Sequence, residues 1–108
     1  MNKTIKKRIS ELPSRKELLI KSLQNKEEAE AYLQAALNAY QSDNDKEVLL
    51  LALRNLAQAQ GGVTSVAQKA NMNREALYRT LSARGNPTLN NLGKILGALG
   101  FHLVAKLS

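Results

Sequence analysis

Four side chains with strong hydrogen-bonding capacity stand close together in the stretch NREALYRTLS, residues 73–82. They are Arg74, Glu75, Tyr78 and Arg79, and the steps of four between them place them on one face of a helix. The forked donors of an arginine match the O6 and N7 acceptors of guanine, and a glutamate accepts a hydrogen bond from cytosine N4. A tyrosine can contact a phosphate or pack on a thymine methyl. The pattern therefore predicts a helix whose outward face contacts DNA base edges.

The residues around this helix predict that a turn and a second helix hold it in place. Leu77 and Leu81 fall on the opposite face and anchor it inward. Asn73 can cap its first turn. Asn71 stands where the chain needs a positive φ, which asparagine tolerates better than other non-glycine residues. Two short helices joined by the three residues NMN predict a helix-turn-helix unit over 63–82.

Further polar residues surround this unit and are candidates for contacts with backbone phosphates. The first helix of the pair begins with hydroxyl side chains and free backbone amides, an arrangement that favours phosphate. The alternative, that these are merely surface residues of a small helical bundle, stays open for each of them. The set comprises Gln60, Thr64, Ser65, Lys69, Asn73, Arg84 and Asn86.

The net charge of +7 over 108 residues is unevenly distributed. Residues 1–26 carry eight Lys or Arg and two Glu, residues 27–60 carry two against six acids, and residues 61–108 carry six against one. Basic blocks on both sides of an acidic middle favour a polyanionic partner for the basic parts. A solvated basic surface that only keeps the protein soluble is the alternative.

Capping residues followed by apolar steps of three and four predict the remaining helices. Ser14 and Glu17 have the spacing of a capping box, and Asn25, Asp45 and Thr88 can each cap the helix that follows. The leucine-rich helix after the aspartate is expected to be buried on more than one side. The composition, with 4% aromatics, favours a core of leucine, alanine, valine and isoleucine in a helical domain.

Four residues and one segment carry more detailed expectations about packing. Leu51 is expected to widen the inward face of its helix, and Leu89 to begin the inward stripe of the last helix. Gly93 and Gly97 lie one turn apart, which favours close helix packing. The segment 101–108, FHLVAKLS, alternates apolar and polar residues and predicts a short strand.

No residue pattern predicts catalysis, a metal site or a cofactor. Cysteine is absent, which excludes thiolate ligands and disulfides. His102 has no acidic or second histidine neighbour, and Asp43 and Asp45 lack the spacing of a cation loop, so capping explains them better. No apolar run approaches the length of a membrane helix, and the N-terminus lacks the apolar region of a signal peptide. We therefore expect a cytoplasmic protein that is not an enzyme and does not enter a membrane.

Longer stretches of the sequence resemble a known family. TSVAQKANMNREALYRTLSARGNPTLNNLGKILGALG resembles the Xre/Cro-type helix-turn-helix of phage-repressor-like proteins. Together with EEAEAYLQAALNAY and LLLALRNLAQAQGG it is similar to the addiction-module antidote proteins, the HigA-like antitoxins. The resemblance implies an all-α, five-helix phage-repressor-like helix-turn-helix domain with an N-terminal helical extension. This domain would occupy residues 17–108, after a basic N-terminal arm at 1–16 that departs from the family.

The same resemblance implies what the protein binds. It predicts an antitoxin that represses its own operon at a double-stranded DNA operator and neutralises a RelE/ParE/HigB-like toxin by direct binding. Because such toxins are usually basic, the acidic helix carrying Glu27, Glu28 and Glu30 is a better toxin-binding candidate than the basic N-terminal arm. Operators are commonly two-fold, so a homodimer is expected, to which Phe101 and Leu103 could add apolar area. The alternatives are a stand-alone Xre-type transcriptional regulator and a helical protein–protein adaptor.

Overall fold

The computed structural model describes residues 12–107, and every regular element in this part of the chain is a helix. The expected all-α class is confirmed for these residues. They contain six helices, one more than the five-helix domain that the resemblance implies, and the additional helix is the one that the capping box at Ser14 predicts before the long acidic helix. The helices are α1 (Arg15–Ser22), α2 (Lys26–Asp43), α3 (Lys46–Ala59), α4 (Val63–Ala70), α5 (Arg74–Thr80) and α6 (Leu89–Ala98).

The basic arm expected at 1–16 falls mostly outside the described residues, which begin at position 12. Its last two residues, Arg15 and Lys16, form the start of α1. Within the described part, no helix is both long enough and apolar enough to cross a membrane.

Local side-chain caps start most of the helices at the predicted residues. The side chain of Ser14 accepts a hydrogen bond from the backbone of Glu17, whose carboxylate accepts one in return, as expected of a capping box. Asn25, Asp45 and Thr88 each accept a hydrogen bond from the backbone amide three residues later, at 3.0, 3.2 and 3.0 Å. These caps satisfy amides that have no partner inside the helix.

The hydrophobic core is organised around α3, which contacts α1, α2 and α4, while α4 in turn packs on α5 and α6. Leu50, Leu53 and Leu56 of α3 are almost completely buried. Leu77 of α5 and Ile95 of α6 are fully buried in the same cluster. The later helices are therefore assembled on one another and on a leucine-rich scaffold.

Two leucines that were expected to face the core are exposed instead. Leu51 is 45% exposed and Leu89 is 78% exposed. The buried residues of α3 already occupy a broad arc, and Leu51 falls outside that arc, facing away from the core. Leu89 is the first residue of α6, directly after the exposed N-cap Thr88, at an end of the helix where the side chains face solvent.

The strand predicted after α6 does not form in residues 101–107. The chain turns at Gly100, which has a φ of +90°, and Phe101 donates its backbone amide to Leu96 at 2.8 Å. A strand needs a partner for its backbone groups, and none pairs with this segment within the described part of the chain. Leu103 and Val104 are consequently exposed.

The expected close helix packing at Gly93 and Gly97 is also wrong. A Cβ placed on either glycine would meet nothing within 4 Å. Both residues lie on the exposed side of α6, away from the buried Ile95 and Leu96.

Candidate nucleic-acid interface

The connection between α4 and α5 has the backbone that the two asparagines predict. Asn71 ends α4 in the left-handed region, with φ 54° and ψ 47°. The backbone amide of Met72 then reaches back to the carbonyl of Ala67 at 2.9 Å. Asn73 caps α5, its Oδ1 accepting hydrogen bonds from the amides of Glu75 and Ala76. One asparagine therefore bends the chain and the other begins the next helix.

The helix α5 is short and is anchored through one side. It contains seven residues, of which only Leu77 is buried, and Leu81 follows as its buried C-cap. Thr80 returns its hydroxyl to the carbonyl of Ala76 at 2.7 Å. An isolated helix of this length is unstable in water, so contacts with the rest of the protein must maintain it.

The four predicted base-contacting residues lie together on the other side of α5. Arg74, Glu75, Tyr78 and Arg79 are all exposed, and together they line one open surface pocket. Tyr78 is 65% exposed although it is aromatic. We call these four residues the reading face. None of them contributes to the core, so their hydrogen-bonding groups are available to an external partner.

The predicted phosphate-contacting residues are distributed over several sites around the reading face. Thr64 is exposed and Ser65 half-buried in the first turn of α4, whose N-cap makes no side-chain hydrogen bond. Arg84 and Asn86 are exposed in the loop after α5. The Oδ1 of Asn73 already accepts the capping hydrogen bonds from the backbone amides of Glu75 and Ala76.

Two further phosphate candidates line a different groove from the reading face. Gln60 donates its side-chain amide to the carbonyl of Leu99, at the C-cap of α6, at 2.7 Å. Lys69 lines the same groove, together with the end of α6 and Lys26 at the start of α2. Their contacts with phosphate stay predictions, and the geometry gives Gln60 a structural role as well.

The loop after α5 is held against the helix at Gly85, a requirement that the sequence does not reveal. Gly85 is buried, and a Cβ on it would collide with the backbone carbonyl of Thr80. Its φ lies outside the left-handed region, so the constraint is close approach rather than backbone conformation. The loop that carries Arg84 and Asn86 is thereby fixed to the C-terminal end of the helix bearing the reading face.

Arg54 is a second residue whose role the sequence does not reveal. It lies in α3 and donates from Nη1 to the carbonyl of Leu81 at 2.5 Å. The two residues are 27 positions apart, so no local pattern links them. The only signal in the sequence is a single arginine within a leucine-rich helix.

The acidic candidates for protein binding occupy another part of the molecule. Glu27, Glu28 and Glu30 are exposed on the first turns of α2. Tyr32 of this helix accepts a hydrogen bond from the buried Asn55 of α3 at 3.0 Å, which ties α2 to the scaffold. A groove lies between α2 and the segment after Gly100 and is lined by Glu30 among other residues.

Comparison with known proteins assigns a family. Residues 17–107 match the family described as probable addiction module antidote protein. The chain belongs to this family. A Haemophilus influenzae protein described as uncharacterized is 36% identical to this antidote protein over 80 residues, which cover 74% of the chain and 81% of that protein. No solved structure matches the chain. Membership assigns the protein an antitoxin role in a toxin–antitoxin pair and implies a toxin partner in general.

Proposed function

We propose that this antidote protein is a sequence-specific DNA-binding antitoxin of a type II module. It represses its own operon and neutralises a RelE/ParE/HigB-like toxin by direct binding. The observation that carries the DNA-binding part is the reading face: four exposed polar residues on a seven-residue helix that the core holds from the opposite side. The proposed role requires no catalysis, metal or cofactor, and it is exercised in the cytoplasm, where the operator is.

In this proposal α4 and α5 form a helix-turn-helix, with α5 inserted in the major groove. The arginines and Glu75 contact base edges, and Tyr78 contacts a phosphate or a thymine methyl. Hydroxyls and amides at the start of α4, with Arg84 and Asn86 of the following loop, bind the flanking phosphates. The basic net charge of residues 61–108 supports a polyanionic partner on this side of the molecule.

The DNA-binding proposal is tested with a duplex taken from immediately upstream of the gene. The variant R74A/R79A should bind this duplex at least about tenfold more weakly, since each good bidentate arginine–guanine pair discriminates by roughly 1–3 kcal/mol. K21A/K46A removes the same two charges at positions outside the proposed DNA and dimer contacts and should bind nearly as well as the wild type. Fluorescence anisotropy at several salt concentrations gives both affinities. Unaltered operator affinity in R74A/R79A would favour the adaptor alternative.

The toxin-binding proposal assigns the acidic start of α2 to a basic toxin. All three glutamates are exposed on one helix end, where they complement the helix dipole and leave their carboxylates free for a partner. Reversing Glu27, Glu28 and Glu30 to lysine should abolish co-purification with the small protein encoded beside this gene. Reversal of Asp43 and Glu47, two exposed acids at the other end of α2 and the start of α3, is the control for charge reversal elsewhere on the surface and should retain the toxin. If both variants retained the toxin equally, the acidic end of α2 would not be part of the toxin-binding surface.

A two-fold dimer completes the proposal, because one short helix in the major groove rarely supplies enough affinity alone. Leu103, Val104 and Leu107 are exposed after α6 and offer apolar area for contact between two copies. Sedimentation equilibrium should give twice the chain mass, and the variant L103S/V104S should shift it towards the monomer. A wild-type mass equal to one chain at micromolar concentration would contradict the dimer.

A further inference from the structure

We propose that Arg54 is a positioning residue for DNA recognition, which sets the orientation of α5 by holding its C-terminal end. The inference rests on the proposed DNA-binding function and extends it to a residue on α3 that lies outside the helix-turn-helix. The carrying observation is the hydrogen bond from Arg54 Nη1 to the carbonyl of Leu81, the C-cap residue of α5.

The other polar contacts at the ends of α5 are local. Asn73 caps its own first turn, and Thr80 bonds to Ala76 one turn earlier. The hydroxyl of Ser82 returns to the carbonyl of Arg79 at 2.7 Å. Such bonds preserve the helical shape of the segment, but they do not fix its direction relative to the rest of the protein. Arg54 differs because it reaches the C-cap from another helix.

Apolar anchoring leaves this direction incompletely determined. Leu77 and Leu81 are both buried on one side of α5, and anchors along a single side still allow a helix of seven residues to tilt about the line that joins them. A hydrogen bond to the C-cap carbonyl from a neighbouring helix adds a directional restraint that apolar contacts alone do not give. Contacts with base edges need their donors placed to within about 0.5 Å, so a small tilt would be costly for recognition.

The charge of Arg54 suits the same role. Unpaired carbonyls give a helix C-terminus a partial negative charge, which a cation stabilises. Arg54 is half-buried, and between residues 27 and 60 the only other basic residue is Lys46, at the start of α3. Its position within an otherwise acidic stretch and against a helix end indicates a specific contact rather than a solvated surface charge.

The groove beside Arg54 suggests a competing explanation, in which Arg54 contacts DNA directly. Lys16, Tyr78 and Ser82 line this groove with Arg54, and Tyr78 also belongs to the reading face. A guanidinium has further N–H donors beyond the one given to Leu81. Arg54 could therefore bind a backbone phosphate directly instead of acting through α5. Loss of a phosphate contact weakens binding to all sequences equally and lowers the salt dependence, whereas loss of a positioning residue selectively weakens binding to the preferred sequence.

The test compares R54M, R54Q and R54K with Y32F. Methionine keeps much of the stem without a donor, glutamine keeps a donor without the charge, and lysine keeps a donor and the charge. Y32F is the matched control because it removes the partner of one partly buried hydrogen bond between α3 and α2, far in the chain from α5. Affinity is measured for the upstream duplex and for an unrelated duplex of equal length, each across a salt series, alongside thermal unfolding.

We expect R54M to weaken binding to the upstream duplex by about five- to tenfold, less than the full effect of one charge-assisted hydrogen bond, because the lost bond lies within the protein and reaches the DNA only through the orientation of α5. Its affinity for the unrelated duplex and its salt slope should stay near those of the wild type. R54K should recover most of the preference for the upstream over the unrelated duplex, and R54Q part of it. Y32F should lower the unfolding midpoint without changing this preference. The proposal is overturned if R54M and Y32F lose preference equally, or if R54M lowers both affinities together with a salt slope reduced by about one.

A second measurement separates failure of this inference from failure of the proposed function. If the wild type shows no preference for the upstream duplex, DNA recognition itself is refuted, but hydrogen exchange still reports on the contact. Amides of residues 77–82 should exchange faster in R54M than in Y32F at matched stability. Equal exchange in the two variants would refute the role of Arg54 whatever the protein binds.

Discussion

The two helices that present the candidate binding residues, α2 and α5, differ in how much of their stability comes from their own residues. α2 has 18 residues, a side-chain cap at Asn25 and a left-handed C-cap at Asn44. α5 has seven residues and depends on Leu77, on Gly85 of the next loop and on Arg54 of α3. The acidic surface of α2 therefore belongs to a long helix that is capped at both ends, whereas the reading face belongs to a short helix that depends more on contacts with its surroundings. Perturbing the scaffold should consequently impair DNA binding before it impairs toxin binding.

The largest expected effect is the loss of a buried leucine from each helix. L77A and L33A both remove a buried side chain, and each should lower the free energy of unfolding by ~2–5 kcal/mol. Because Leu77 is the buried anchor of α5, L77A should also abolish operator binding under conditions where the protein remains folded. L33A at equal folded fraction should still bind DNA. Urea unfolding and anisotropy with the upstream duplex check both points, and equal operator affinity in the two variants would contradict the comparison.

The next effect comes from adding one methyl group at two glycines. At Gly85 the methyl would collide with the backbone of Thr80, so G85A should lower the free energy of unfolding by ~1–3 kcal/mol and weaken operator binding. At Gly93 the methyl meets nothing, and alanine is the better helix former, so G93A should raise that free energy by ~0.5–1 kcal/mol.

Thermal unfolding of both glycine variants shows directly whether each substitution raises or lowers the free energy of unfolding. Destabilisation by G93A would show that α6 is packed against something at this face, and a neutral G85A would show that the loop can move away from α5.

The smallest expected effect is the loss of one N-cap. N25A and N73A should each lower the free energy of unfolding by ~1 kcal/mol. In α2 the lost cap should fray only the first turn, while in α5 one turn is half of the helix. Hydrogen exchange should therefore increase throughout residues 74–80 in N73A but only near Lys26 in N25A. If α2 and α5 frayed to the same extent, α5 would be more stable without its cap than a helix of seven residues is expected to be.

Features that depend on adjacent residues could be predicted from the sequence. The capping residues Ser14, Asn25, Asp45 and Asn73 bond within three positions, and the left-handed turn at Asn71 reflects its own backbone preference. Such interactions need no knowledge of the rest of the fold. The spacing of Arg74, Glu75, Tyr78 and Arg79 predicted a shared exposed face for the same reason, although what this face binds stays a prediction.

Features that depend on distant residues could not be predicted in this way. The exposure of Leu51 follows from how much of α3 its neighbours cover, and the absence of a strand after Gly100 follows from the lack of a pairing segment in the described residues. The contact between Arg54 and Leu81 joins positions that only the packing of α5 brings together. Gly85 likewise owes its constraint to the path of the loop against Thr80.

The division of α5 into a buried side and an exposed side has an evolutionary consequence. Leu77 and Leu81 supply its attachment, while the four residues of the reading face contribute nothing to the core. Substitutions at exposed positions away from such features usually change stability by less than about 0.5 kcal/mol. Copies of this protein can therefore diverge at residues 74, 75, 78 and 79 without an accompanying change in the fold. Under the proposed function, duplicated copies could acquire separate operators by a few substitutions at these positions, and the protein would stay folded at every step.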